Sequence, residues 1–229
     1  MIKLNGLLVK GAAVAALATA LSIPAQASTG GGCSVTRVSS GSSTFYVPSG
    51  GSGQYNILGW GNGTGGTSTT YRGVLESVAE QCILVAAANT MNSGTGREVE
   101  NAVNEAKSRY RNIVGADPKV CTSGHSQGGG GSFNAANRLG ADCVIAVQPD
   151  TVFTTSIYRP VASNVDVACI FSLADTLAPA LPFNSLNCRL NSTRYTEDMT
   201  SGTHFTVTYG DGGSPGASMR SFAKRWLVD

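Results

Sequence analysis

Short apolar runs alternating with amphipathic stretches constrain this chain more than any other feature. Cys82 to Ala88, Val120 to Thr122, Val144 to Val147 and Val167 to Leu173 are brief, β-rich and almost continuously apolar, as strands buried on both faces are. Thr44 to Val47 and Tyr55 to Leu58 add two short strands before them. Helical spacing fills the intervals. Tyr71 to Gln81 is one helix, Gly129 to Leu139 another, and Arg97 to Val114 sets Val99, Val103, Ala106, Tyr110 and Ile113 along one side. A last helix starts near Pro215, a good first-turn residue, and turns Met219, Phe222, Ala223 and Trp226 inward. Strands alternating with helices predict an α/β fold, a mainly parallel central sheet flanked by helices. There is no internal repeat and no linker long enough to argue for a second domain.

The first residues read as an export signal. Lys3 and Lys10 flank the charged start, Gly11 to Ile23 is small and apolar, and Ala25-Gln26-Ala27 fits a small-x-small cleavage site. That run is too short to cross about 30 Å of hydrocarbon, so secretion is expected and a membrane anchor is not. Residues 28–229 are then expected to form one domain, opening on a Gly/Ser-rich lead to Gly32. Both lysines leave with the signal, so the 16 basic residues fall to 14, against 14 acidic ones. Such a balance speaks against nucleic acid or an anionic membrane as partner. All six cysteines lie in 28–229, and an even count in an exported protein points to disulfides. With no CxxC pair and only two histidines, a zinc site is not expected. Of the 15 possible connectivities, pairing of sequence neighbours is expected: Cys33–Cys82, Cys121–Cys143 and Cys169–Cys188.

Gly124-His125-Ser126-Gln127-Gly128 matches G-x-S-x-G. In a chain with 29 glycines the pattern is cheap, and Gly212-Gly213-Ser214-Pro215-Gly216 matches it again. Context separates the two. Ser126 follows a strand and opens a helix, the setting in which a tight turn leaves a nucleophilic hydroxyl exposed. Ser214 follows a polar loop and has no histidine after it. A nucleophilic serine needs a base near neutral pH. His125 adjoins Ser126 in the turn and is expected to pack beside it, which leaves His204. The acid must orient that base. Asp175 follows the strand ending at Leu173, at a carboxyl end, and is the first choice; Asp150, also after a strand, is the alternative.

Acyl transfer further needs N–H donors for an oxyanion. Gln127 supplies one at a helix N-terminus. The second is expected from the early loop Gly59-Trp60-Gly61-Asn62-Gly63, at the Trp60 amide, with Gly61 as alternative. The same loop holds Gly61-Asn62-Gly63-Thr64-Gly65-Gly66, a G-x-G-x-x-G match that suggests a dinucleotide site. The carboxylate that would hold the ribose is missing, because the next strand ends Ala88-Asn89-Thr90.

With these residues in hand, the chain resembles the bacterial cutinases and polyester hydrolases, including poly(ethylene terephthalate) hydrolases. Ser123 to Gly131 resembles their elbow with its glycine run, Asp175-Thr176-Leu177-Ala178-Pro179 their acid segment, and Thr203-His204-Phe205 their histidine loop. Leu58-Gly59-Trp60 falls where they carry glycine and an aromatic, and Ala223 to Asp229 is similar to their ending. Gln127 stands where they usually have methionine. Their tryptophan after the following strand is absent from Val147 to Thr151, with Phe153 or Tyr158 as substitutes for substrate contact. The resemblance implies an α/β-hydrolase fold and a secreted, monomeric esterase using Ser126, His204 and Asp175, with no cofactor. Trp60 would stack on the acyl group at the mouth of the site. Only about 19 residues separate the strands ending near Val147 and starting near Val167, too few for a large helical lid, so the expected substrate is a bulky or polymeric ester. The alternatives are a lipase or carbohydrate esterase on the same residues, or a binding protein that keeps the fold without catalysis.

Overall fold

The computed structural model describes residues 32–51, 53–153 and 159–229. The expected export signal and Tyr158 lie outside the described residues. Eight strands form one sheet in the order β1-β2-β4-β3-β5-β6-β7-β8. They are β1 (Ser34–Ser40), β2 (Ser43–Ser49), β3 (Ile57–Gly61), β4 (Leu84–Ala88), β5 (Val120–His125), β6 (Cys143–Val147), β7 (Asp166–Ser172) and β8 (Arg194–Thr200). β1 and β2 run antiparallel to their neighbours, and every pairing from β4 to β8 is parallel. The mixed α/β architecture with a mainly parallel sheet is therefore as expected.

Period-2 alternation sends each strand's side chains to two cores. On one face Phe45, Ile57, Leu84, Val144 and Val167 meet Val99, Val103 and Phe133, from α2 (Arg97–Arg109) and α4 (Gln127–Leu139). On the other, Tyr46, Leu58, Trp60, Val85 and Ile145 meet Val74, Leu75, Met219 and Phe222, from α1 (Arg72–Ala79) and α6 (Gly213–Leu227). The helix expected over 97–114 breaks at Tyr110, whose φ of −113° is not helical, and resumes as the short α3 (Arg111–Val114). A further short helix, α5 (Ser185–Leu190), precedes β8.

Two strands had no apolar signature. β1 and β8 are polar and largely exposed along their length, because each closes one edge of the sheet and is held by one neighbour's main chain.

All three expected disulfides are present: Cys33–Cys82, Cys121–Cys143 and Cys169–Cys188. Cys121 and Cys143 face each other across the β5–β6 ladder. Cys169 in β7 reaches Cys188 in α5, bracketing the loop that carries Asp175. Among the described residues no helix is long and apolar enough to cross a membrane.

Candidate active site

β5 ends at His125 and α4 begins at Gln127, so Ser126 alone makes the turn. It does so at φ 55° and ψ −120°, a region that costs a non-glycine residue about 1–3 kcal/mol and persists only where surroundings enforce it. Its amide donates to the Val147 carbonyl at 3.1 Å, and its carbonyl accepts from Gly130 and Asp150 amides at 3.1 and 3.0 Å. The flanking glycines make the turn possible sterically. A Cβ on Gly124 would lie 2.3 Å from the Gly128 carbonyl oxygen, and one on Gly128 would lie 2.2 Å from that of Gly61.

Ser126 and His204 line one cleft of about 200 Å³ at the carboxyl ends of the strands, together with Gly63, Thr64, Tyr71 and Phe205. His204 Nδ1 is 2.7 Å from Asp175 Oδ2. The other carboxylate oxygen, Oδ1, accepts the Leu177 and Ala178 amides at 2.9 Å each. Burial by itself would push the Asp175 carboxyl up. The hydrogen bonds from His204, Ala178 and Leu177 outweigh it and hold the group below the usual carboxylate range. The loops that carry Asp175 and His204 are also joined by main chain, Leu173 N–H to the Thr200 carbonyl and Ala174 N–H to that of Gly202.

Asp150, the alternative acid, turns inward to its own loop. Its Oδ1 accepts the Val152 and Phe153 amides at 3.1 and 2.9 Å. Gln127 opens α4, so its amide belongs to the first-turn donors that the helix itself does not use.

The structure corrects two expectations. Trp60 is not at the mouth of the cleft. β3 continues through Gly61, so Trp60 is an internal strand residue paired with Ala87 and Ser123. It shares a face with Leu58, which α1 covers, and its ring is 0% exposed, with Nε1 donating to Asn62 Oδ1 at 3.1 Å. The loop starts later than expected, and it is Gly63 that lies over Ser126, with Thr64 next to it in the cleft wall. A Cβ on Gly63 would be 3.1 Å from that of Ser126. Phe153 is not among the residues lining this cleft. It is 83% exposed on the loop after β6. The exposed aromatic beside His204 is Phe205, 51% exposed, with its ring centroid 5.4 Å from that of His204.

No protein-family model matches this chain, and no curated protein is significantly similar to it in sequence. A larger hollow of about 550 Å³ opens among Arg97, Asn134, Arg138 and Arg159. Among the described residues its lining holds three arginines and Glu98 but no histidine and no serine, whereas the smaller cleft holds Ser126 beside the His204–Asp175 pair. The second G-x-S-x-G serine, Ser214, is an exposed first-turn residue of α6 that meets Ser201 Oγ at 2.7 Å. The G-x-G-x-x-G run forms a tight turn, Gly66 N–H to the Gly63 carbonyl at 3.0 Å, and one wall of the cleft.

Sequence reasoning assigned His125 only packing and missed Tyr71 and Gln148. Tyr71 Oη is 2.9 Å from His125 Nδ1. Burial, and then the positive charge that His204 can carry, lower the His125 pKa to about 3. Burial raises that of Tyr71 to about 12, opposed in part by the Gly63 N–H. Both are accordingly neutral at physiological pH. The only sequence signal for Tyr71 was a tyrosine at the start of an apolar helical face, which reads as core.

Proposed function

We propose that this chain is a secreted serine hydrolase of the α/β-hydrolase fold that cleaves carboxylic esters in the manner of the cutinases and polyester hydrolases. The observation that carries the reading is a serine strained at φ 55°, sharing a cleft with a histidine whose Nδ1 meets a buried, ionised carboxylate at 2.7 Å.

Each residue has a defined task. Ser126 Oγ attacks the ester carbonyl while His204 Nε2 takes its proton, since Nδ1–H is committed to Asp175. The Asp175 charge stabilises the imidazolium and fixes its orientation. The oxyanion binds the Gln127 amide at the start of α4, where the helix dipole adds to the attraction. The second donor comes from the Gly63–Thr64 loop. Gly63 N–H is committed to Tyr71 Oη at 3.2 Å, so the Thr64 amide takes this role instead of Trp60. His204 then protonates the departing alkoxide, and water repeats the cycle on the acyl-enzyme. Phe205, half exposed beside His204 in the cleft lining, is the apolar surface for an acyl or aromatic group. That suits a bulky or polymeric ester.

The test is fluorophosphonate labelling of the full chain, followed by a hydrolysis panel from nitrophenyl acetate through triglycerides, acetylated xylan and an aliphatic polyester. The expected result is covalent labelling at Ser126, lost in Ser126→Ala, with polyester cleavage. No labelling, or labelling unaffected by Ser126→Ala, sinks the reading. A rate jump at the solubility limit of a triglyceride without polyester hydrolysis moves the protein to the lipases.

A further inference from the structure

Three buried side chains outside the proposed chemistry converge on the loop that carries His204. His125 Nε2 is 2.9 Å from the main-chain oxygen of His204. A carbonyl only accepts, so Nε2 carries the proton and Nδ1 is bare. Tyr71 Oη, 2.9 Å from that Nδ1, must donate to it, and the same oxygen accepts the Gly63 N–H at 3.2 Å. One residue earlier in the loop, the Thr203 carbonyl accepts Gln148 Nε2 at 2.7 Å, and that amide also donates to Ser172 Oγ at 2.9 Å. Tyr71, His125 and Gln148 are all buried, and Gln148 adopts a left-handed φ of 45°, which side chains other than glycine take up only under constraint.

These bonds form a continuous strut: Gly63 N–H to Tyr71, Tyr71 to His125, His125 to the His204 carbonyl. It joins the loop over Ser126 to the loop of the base. Residues 201–205 belong to no strand or helix, so no regular ladder sets their conformation. Asp175 fixes the imidazole only at Nδ1 and leaves the main chain beneath it to be held by other means.

We propose that Tyr71, His125 and Gln148 are positioning residues for His204, suspending it by the successive main-chain carbonyls of residues 203 and 204 and locking its height against the Gly63–Thr64 loop. The kinetic part rests on the esterase reading; the geometric part does not. A displacement of about 1 Å at a general base can cost up to about 100-fold in rate, so the strut acts on turnover and leaves substrate binding largely alone. A polar pair costs desolvation that two apolar side chains in the same space would avoid. Once its donors and acceptors are matched, it fixes one geometry where an apolar pair would allow several.

Only two histidines exist in the chain, which makes the test clean. Histidine labelled with ¹⁵N in the full-length protein reports the low-field His204 Nδ1–H bonded to Asp175 and, separately, the His125 tautomer. Tyr71→Phe is expected to lower kcat about tenfold with KM within about twofold, and to broaden the His204 Nδ1–H resonance by faster exchange. His125→Leu is expected to lose about 100-fold in kcat. His125→Gln, whose amide nitrogen falls near the position of Nε2, is expected to recover about tenfold of that loss. Wild-type kcat in Tyr71→Phe overturns the proposal. So does a loss that follows the melting temperature alone, with an unchanged resonance and no rescue by glutamine. If the parent protein is neither labelled by a fluorophosphonate nor active on esters, the esterase reading fails by itself. The resonance then still decides the strut: broadened in Tyr71→Phe supports it, unchanged rejects it.

Discussion

Ser126 holds a backbone conformation that only glycine adopts freely, and strain of that kind is retained where function needs it. Ser126→Gly should therefore raise stability by about 1 kcal/mol while abolishing ester hydrolysis, a pairing that thermal melts and an activity assay check together. Ser126→Ala and His204→Ala should each reduce kcat by about 10³-fold or more with the circular dichroism spectrum unchanged. Asp175→Asn should reduce kcat heavily, whereas Asp150→Asn should lower the melting temperature and spare turnover, since Asp150 caps its own loop. The reverse pattern would reassign the acid. His125 supplies a pH prediction. In the fold it stays neutral down to about 3, while in the unfolded chain it protonates as pH falls through about 6.5. Between those values the unfolded state binds the extra proton, so stability is full above about pH 6.5 and falls by up to about 1.4 kcal/mol per unit below it. His125→Gln should flatten the decline in melting temperature between pH 7 and pH 4.5.

At the scale of elements, the site depends on how closely β5, α4 and β3 approach one another. The backbone oxygens of Gly61 and Gly128 stand where a Cβ on Gly128 or Gly124 would have to go, and backbone cannot yield as a flexible side chain can. Gly124→Ala should cost about 1–3 kcal/mol or prevent folding, measured by chemical denaturation. The Cys169–Cys188 bridge closes 19 residues around the acid loop, worth about 3 kcal/mol in loop-closure entropy. The double variant Cys169→Ser/Cys188→Ser should lower the melting temperature, and should reduce kcat more than KM if the bridge also steadies Asp175. Edge strands behave differently. β1 and β8 pair through main chain and expose most side chains, so their sequences carry neither apolar alternation nor β-branched runs strong enough to be read.

Across the whole molecule, the parallel strands bring their carboxyl ends to one edge. Residues from β5, the β7–α5 loop and the β8–α6 loop meet there, separated by 78 positions between Ser126 and His204. Phe205 is the aromatic left at the mouth, half exposed beside the base. Phe205→Ala should therefore raise KM for bulky aromatic esters several-fold more than for acetate esters, while Trp60→Ala, an emptied core position, should cost about 3–5 kcal/mol of stability. If Trp60→Ala instead changes substrate preference at unchanged stability, its placement in the sheet is wrong.

What the sequence determined by itself was local or combinatorial. Apolar runs marked the central strands because those are buried on both faces. Strand–turn–helix context separated Ser126 from Ser214, and with two histidines and an ordered set of carboxylates His204 and Asp175 followed almost by elimination as the candidate pair, which the structure brings to 2.7 Å. Sequence-neighbour pairing of the cysteines matched the bridges because neighbouring segments lie close together in this sheet, as the in-register Cys121 and Cys143 show. Tertiary structure alone decided where β3 stops, and a shift of a few residues moved the loop from Trp60 to Gly63–Thr64 and carried the indole into the core. It also decided which aromatic reaches the cleft, and that Tyr71 and His125, 54 positions apart, share a hydrogen bond. Strand ends and long-range polar contacts depend on which faces neighbouring elements cover, and periodicity within one segment carries no record of its neighbours.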